Sequence, residues 1–210
     1  MPGLAPGEPS DAMLLRQHAE GDTEAFSLLF KRHKDRLWAV ALRVTCDPDD
    51  AADALQEAMI SAFRRAGDFR GESAVTTWLH RIVVNAALDL LRRRSAHSVG
   101  WSGDPDDLPV AEPWQATDTA AVTESRLDVD AAIRTLAPPQ RAALVLVDML
   151  GYPVADVAVI LGVSEGTVKS RCARGRARLL PYLSHLRGGS PGRRNQTVAD
   201  GVPSEQGGGA

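Results

Sequence analysis

The sequence predicts an all-α fold: two small helical domains joined by a flexible acidic linker. Three observations predict it. The apolar content, 44% of 210 residues, is mostly Ala, Leu and Val with only 5% aromatic, which suits packed helices better than strands. Apolar residues recur at helical spacing in two long stretches. Between those stretches, Ser98–Ala120 holds Asp104, Asp106, Asp107, Glu112 and Asp118, three prolines, and neither Lys nor Arg.

The expected organisation follows from those breaks. Residues 1–9 are Pro/Gly-rich and read as a flexible N-terminus. Residues 10–97 form the first domain, 98–120 the linker, 121–187 the second domain, and 188–210 a disordered Gly-rich tail. The tail has too little apolar surface to offset the entropy of ordering.

In the first domain, Ser10 caps a short helix that Gly21 breaks. Asp22 or Thr23 starts the next, with Phe26, Leu29, Phe30, Leu37, Val40 and Leu42 at helical positions. Asp47-Pro48-Asp49-Asp50 opens a third: Asp47 accepts N–H bonds, Pro48 suits the first helical position, and the acids oppose the helix dipole. That helix places Ala52, Leu55, Met59, Ala62 and Phe63 on one face, at helical spacing. Asp53, Gln56, Glu57 and Ile60 share another face. A loop at Gly67–Glu72 follows. A fourth helix from near Ser73 buries Leu79, Ile82, Val83, Ala86 and Leu90 and ends in Arg92-Arg93-Arg94.

In the second domain, Arg126–Leu136 precedes Pro138-Pro139, which opens a helix through Leu150. Gly151-Tyr152-Pro153 is a turn. Val154–Arg178 then reads as a helix-turn-helix, with Gly162 in the turn and Ser164 as N-cap. Val157, Ile160, Leu161, Val163 and Val168 form its expected core. Lys169, Ser170, Arg171, Arg174 and Arg178 are expected to project outward. A helix of this kind fits the major groove, with its first turn near base edges and later arginines near phosphates. The alternative is a solvated basic helix in an ordinary bundle. Gly166 and Gly175 count against the helix, at up to about 1 kcal/mol each.

Charge distribution supports a nucleic-acid partner where the net charge, −3, does not. Ser164–Arg187 holds six cations against Glu165 alone, and phosphate attraction acts within about 8–10 Å. Cys46 and Cys172 make neither a metal-ligand spacing nor a disulfide framework and read as small core residues. No signal peptide or membrane span is visible, so the cytoplasm is the expected compartment. No metal-ligand spacing, phosphate-cradling glycine loop or nucleophile elbow appears, so no cofactor, no small-molecule substrate and no catalysis are expected.

Specific motifs carry a resemblance. Asp53-Ala54-Leu55-Gln56-Glu57, Phe63-Arg64, Phe69-Arg70-Gly71, Trp78 through Asn85, Asp89 and Arg92-Arg93 resemble region 2 of extracytoplasmic-function sigma factors. Leu136, Pro138, Gln140-Arg141, Asp148–Gly151, Ala155–Ala158 and Leu161–Arg171 resemble their region 4. Within the family the sequence is most similar to a sigma-M-like actinobacterial group.

The resemblance implies partners and roles. The partners are core RNA polymerase through its largest and second-largest subunits, promoter DNA, and an anti-sigma factor. Asp53, Gln56, Glu57 and Ile60 would dock on the polymerase. Phe69, Arg70, Gly71, Trp78, Arg81, Asn85, Arg92 and Arg93 would bind the −10 element, with Asn85 reading a flipped base and the arginines following phosphates. Trp78 reads equally well as a core anchor. Ser164, Glu165, Thr167, Lys169, Ser170, Arg171, Arg174 and Arg178 would bind the −35 element. Ala173 stands where some relatives carry an aromatic residue, which leaves −35 base identity open. Free of polymerase, such a protein should bind promoters poorly. A free-standing helix-turn-helix regulator is the alternative reading.

Overall fold

The computed structural model describes residues 8–99 and 131–183, and those residues are helical, with turns between the helices and no strand among them. The expected linker core, the N-terminal residues 1–7 and the tail lie outside the described residues. The helices are α1 (Asp11–Ala19), α2 (Thr23–Thr45), α3 (Pro48–Arg65), α4 (Val75–Val99), α5 (Pro138–Leu144), α6 (Val154–Leu161) and α7 (Glu165–Leu183).

Local chemistry sets the helix starts. Ser10 Oγ accepts from the Met13 N–H at 3.2 Å, and Asp22 Oδ1 from Glu24 N–H at 2.9 Å. Asp47 Oδ1 accepts from Asp50 N–H at 2.9 Å, with Pro48 at the first helical position. Each such cap is worth about 1 kcal/mol. α2 ends at Cys46, whose φ of 61° is left-handed and unusual for a residue with a side chain. α1 is tied to α2 by Asp11, which accepts from Arg32 at 2.6 Å and lies 2.7 Å from His33 Nε2.

α3 packs against both α2 and α4, but not on the face its large apolar residues suggest. The fully buried positions are Ala51, Ala54, Ala58 and Ala62. Leu55 and Met59 sit half-buried at the rim, and Ala52 and Phe63 are exposed. A stripe of alanines lets neighbouring helix axes approach closely, so the small residues occupy the contact and the large ones flank it. Phe63 still shields the α1 end, with its ring 4.2 Å from that of His18 and 5.2 Å from that of Phe26.

α4 is the central helix. Val75, Leu79, Ile82, Val83, Val84, Ala86, Ala87, Leu88 and Leu91 are all buried. Such wide burial needs cover on more than one side. α2 and α3 supply part of it, and α5 and α6 supply the rest. α4 starts two residues later than expected and continues past the arginines to Val99, beyond the expected domain end at residue 97. Leu90 is half-buried rather than core.

The second module is smaller. The helix opened by Pro138 loses regular α geometry at Leu144, and Val145–Met149 forms a π-helical turn instead of continuing to Leu150. α7 crosses α5 at Gly175. An added Cβ there would lie 2.6 Å from Leu144 Cδ1, so the glycine serves close helix contact. The helix penalty counted against it is offset by packing.

Candidate nucleic-acid interface

The turn between α6 and α7 has the geometry of a helix-turn-helix. Gly162 ends α6 at φ 65°, and the Gly162 and Val163 N–H groups both donate to the Ala158 carbonyl. Glycine adopts this conformation without the Cβ penalty. Ser164 Oγ then accepts from Thr167 N–H at 3.1 Å and starts α7. Val157, Ile160 and Val168 are buried between the helices, while Leu161 and Val163 are half-buried.

On α7, Ser164, Glu165, Lys169, Ser170, Arg174 and Arg178 are exposed, and Thr167 is half-buried. Lys169 Nζ donates to Glu165 at 3.2 Å, one turn earlier. Arg171 departs from the expectation. It is buried, at 7% exposure, alongside Cys172 and Val168, so it does not project with the others. A four-residue step from Arg171 reaches Gly175, the close-contact position, which places Arg171 on the packed side of the helix. Arg176, given no role from sequence, donates two hydrogen bonds to Asp148, at 2.7 and 3.0 Å. The pair joins α7 to the π-helical turn, and the Asp148 carboxylate raises the Arg176 pKa.

In the first module, Asp53, Gln56, Glu57 and Ile60 are all exposed on one face of α3. Ile60 is 46% exposed, a large apolar side chain amid polar neighbours. Arg70, Gly71, Arg81, Arg92 and Arg93 are exposed too, and Phe69, Trp78 and Asn85 are half-buried. Gly71 has φ 77°, a value that favours glycine in the loop before α4. Phe69 and Trp78 meet edge to face with ring centroids 5.6 Å apart. Trp78 therefore packs on its loop and also retains exposed surface.

Two expected sites touch. Arg93, assigned to DNA by resemblance, donates to Glu57, assigned to polymerase docking, at 2.7 and 3.4 Å. Arg92 pairs with Asp89 at 2.8 Å, and Arg94 with the buried Asp50 carboxylate at 2.6 Å. Burial pushes the Asp50 pKa up, and the Arg94 charge opposes that rise.

Three contacts that sequence reasoning did not anticipate join the modules. Arg141, on α5, is fully buried and donates to the Val44 carbonyl at the end of α2 at 2.7 Å. It also donates to the carbonyls of Leu136 at 2.9 Å and Arg134 at 3.4 Å. Burial lowers its pKa, and the carbonyls at the negative end of the α2 dipole offset part of that desolvation. His80 Nδ1, on α4, lies 2.7 Å from the Tyr152 hydroxyl, with the two rings edge to face. Burial lowers the His80 pKa to about 4, with Arg36 and His33 adding to the effect. Asn85 Nδ2 donates to the Ile160 carbonyl of α6 at 3.3 Å. No local pattern signals these pairs, because their partners are 72 to 97 residues apart.

Comparison with known proteins agrees with this arrangement. The model of sigma-70 region 2 matches residues 29–97, and that of sigma-70 region 4 matches 126–179. The chain is 50% identical over 182 residues to the ECF RNA polymerase sigma factor SigM of Mycobacterium tuberculosis, covering 87% of this chain and 89% of that protein. It is 36% identical over 172 residues to the ECF sigma factor SigE of Mycolicibacterium smegmatis, covering 79% and 65% of the two chains.

Among solved structures, one similar chain is the sigma factor RpoE of Bartonella quintana, in complex with the anti-sigma factor NepR. The TM-score is 0.63 and the identity 26%, covering 77% of this chain and 98% of that one. CnrH, in complex with the cytosolic domain of CnrY, gives a TM-score of 0.57 at 25% identity, covering 87% and 100%. A separate family match over residues 29–97 leaves a free-standing helix-turn-helix regulator without support. With both regions matched in order along one helical chain, this protein belongs to the extracytoplasmic-function RNA polymerase sigma factors.

Proposed function

We propose that this chain docks on core RNA polymerase and directs it to promoters through two DNA-reading surfaces. The carrying observation is the helix-turn-helix whose second helix presents Lys169, Ser170, Arg174 and Arg178 to solvent, in one chain with a region 2 module. α7 would enter the major groove of the −35 element, its first turn near base edges and Arg178 near phosphates. Arg171 is assigned to holding the helix rather than to touching DNA, because it is buried.

In the first module, Asn85 supplies a donor and an acceptor for a base edge of the −10 strand. Phe69 and Trp78 offer ring faces, each worth about 1–3 kcal/mol per stacked base. Arg70, Gly71, Arg81, Arg92 and Arg93 line the approach and favour phosphates. Asp53, Gln56, Glu57 and Ile60 form the polymerase-docking face, where carboxylates steer association with a basic partner. Residues 10–97 and 121–187 serve as the two working units and 98–120 as their tether. The work is done in the cytoplasm, and the chemistry of RNA synthesis stays with the polymerase. An anti-sigma partner is expected, as the RpoE structure holds one.

The test is reconstituted run-off transcription with core polymerase on a genomic promoter pool. Defined transcripts dependent on this chain are expected; no initiation at any site would refute the reading. Asn85→Ala should impair open-complex formation and leave core binding intact.

A further inference from the structure

We propose that His18 is a positioning residue for −10 recognition: from α1 it caps the far end of α3 and so aims the loop at 69–74. The inference rests on the proposed −10 role of Phe69 and Trp78, and deepens it by naming what sets their position.

The first observation is a cap supplied from a distant helix. His18 Nε2 lies 3.0 Å from the Phe63 carbonyl, 45 residues along the chain. That carbonyl stands in the last turn of α3, which ends at Arg65. Helix geometry leaves the C=O groups there without an intrahelical donor. A carbonyl only accepts, so the ring carries its proton on Nε2. The other nitrogen, Nδ1, is buried with no hydrogen-bond partner among the described residues. The rings of Phe26 and Phe63 lie 5.0 and 4.2 Å from the imidazole. An apolar side chain would fill that space without stranding a polar atom. What it would lose is the bond to α3.

The second observation is where α1 rests. It packs on the 3-10 turn Ala66–Asp68, which follows directly from α3. Phe69 leaves that turn with its N–H donated to the Ala66 carbonyl at 3.2 Å and its ring edge to face with Trp78. The direction in which Phe69 leaves therefore depends on how the last turn of α3 is held. The third is that α1 is pinned at its other end. Asp11 meets Arg32 and His33 of α2, and Leu14 and Leu15 are buried between. A helix of 9 residues is too short to be stable alone, so these contacts make it a strut from α2 to the end of α3.

The experiment compares the full chain with His18→Leu, His18→Asn and His18→Gln. Gln carries an amide N–H at a reach similar to that of Nε2, and Asn is one carbon shorter. Circular dichroism establishes folding, and association with core polymerase is measured for each. Trypsin cleavage between Arg70 and Gly71, followed by mass spectrometry on the free chain, reads the loop. Run-off transcription reads −10 discrimination: transcript from the strongest promoter of the pool is divided by that from copies with single −10 bases replaced. Copies altered at −35 serve as the control. Leu and Asn should leave core association unchanged, speed cleavage and lower the −10 ratio by about threefold or more, the scale of one hydrogen bond. Gln should restore both, and the −35 ratio should not move.

Folded Leu and Asn variants with unchanged cleavage would overturn the cap. Faster cleavage with an unchanged −10 ratio, or an equal fall in the −35 ratio, would overturn its link to −10 reading. A Gln variant that behaves like Leu would assign His18 to ring packing instead. Should His18→Leu not fold, the Asn and Gln pair decides. An unaltered chain that yields no transcript with core would refute the sigma reading itself, and the cleavage comparison still tests the cap, so the two failures stay distinct.

Discussion

The two surfaces assigned to DNA differ in how far they are already occupied. On α7, Lys169 and Arg174 are exposed and each bonds to a neighbour one turn away, Glu165 and Ser170 respectively. On α4, Asn85 bonds across to the other module, Arg93 bonds to α3, and Trp78 packs on Phe69. The difference teaches that a basic helix can be ready for phosphate while a base-reading pocket is not. Phosphate attraction needs only accessible cations, whereas a base pocket needs its donor unengaged.

The largest expected effect concerns the joint between the surfaces. Arg141→Ala should cost about 3 kcal/mol or more, because buried carbonyls lose their donor at about 1–3 kcal/mol each. Urea denaturation at neutral pH would measure it. A loss under 1 kcal/mol would mean that the modules do not depend on this guanidinium.

Acid should act on the same joint. His80 has a lowered pKa of about 4 where it is buried, against 6.5 when solvated. The buried form thus binds fewer protons, so its contribution is complete above pH 6.5 and declines as pH falls towards 4. At about 1.4 kcal/mol per pH unit the decline reaches about 3 kcal/mol. The groups facing the ring are Arg36 and His33 from α2 and Tyr152 from the second module. Denaturation midpoints between pH 7 and 4.5, compared for the unaltered chain and His80→Phe, should diverge. Parallel curves would remove His80 from the account.

Within the second module, Gly175→Ala should destabilise by about 1–2 kcal/mol, because overpacking against Leu144 exceeds the gain in helix propensity. A raised melting temperature would show that Leu144 moves aside. Smaller still, Ser164→Ala should remove about 1 kcal/mol through the lost cap. It should also weaken duplex binding by fraying the first turn of α7. Glu57→Gln should leave the melting temperature unchanged, since its pair with Arg93 is exposed. It should reduce core association, and unchanged association would remove Glu57 from the docking face.

Much of this was legible in the sequence. Asp47-Pro48, Asp22, Ser164 and Gly162 announce their own turns, because caps depend on residues within four positions. The helix-turn-helix follows from the same local chemistry. What was not legible depends on distance along the chain. Which face of α3 turns inward is not legible from its large apolar residues, because the contact uses alanines set by how closely α2 and α4 approach. A cation usually faces solvent, so the sequence alone has Arg171 projecting, and only the crossing at Gly175 turns it to the packed side. Arg141, Tyr152 and the Ile160 carbonyl become site features through packing between modules, which no motif spacing reveals.

The left-handed residue at Cys46 has one further consequence. It brings α2 to an end beside Arg141, so the last turn of α2 presents its carbonyls outward and lies open to the guanidinium. Four residues on from Val44 stands Pro48, which has no N–H to give, so the Val44 oxygen stays open to a donor from elsewhere. The early stop of one helix thus creates the socket into which a distant part of the chain plugs.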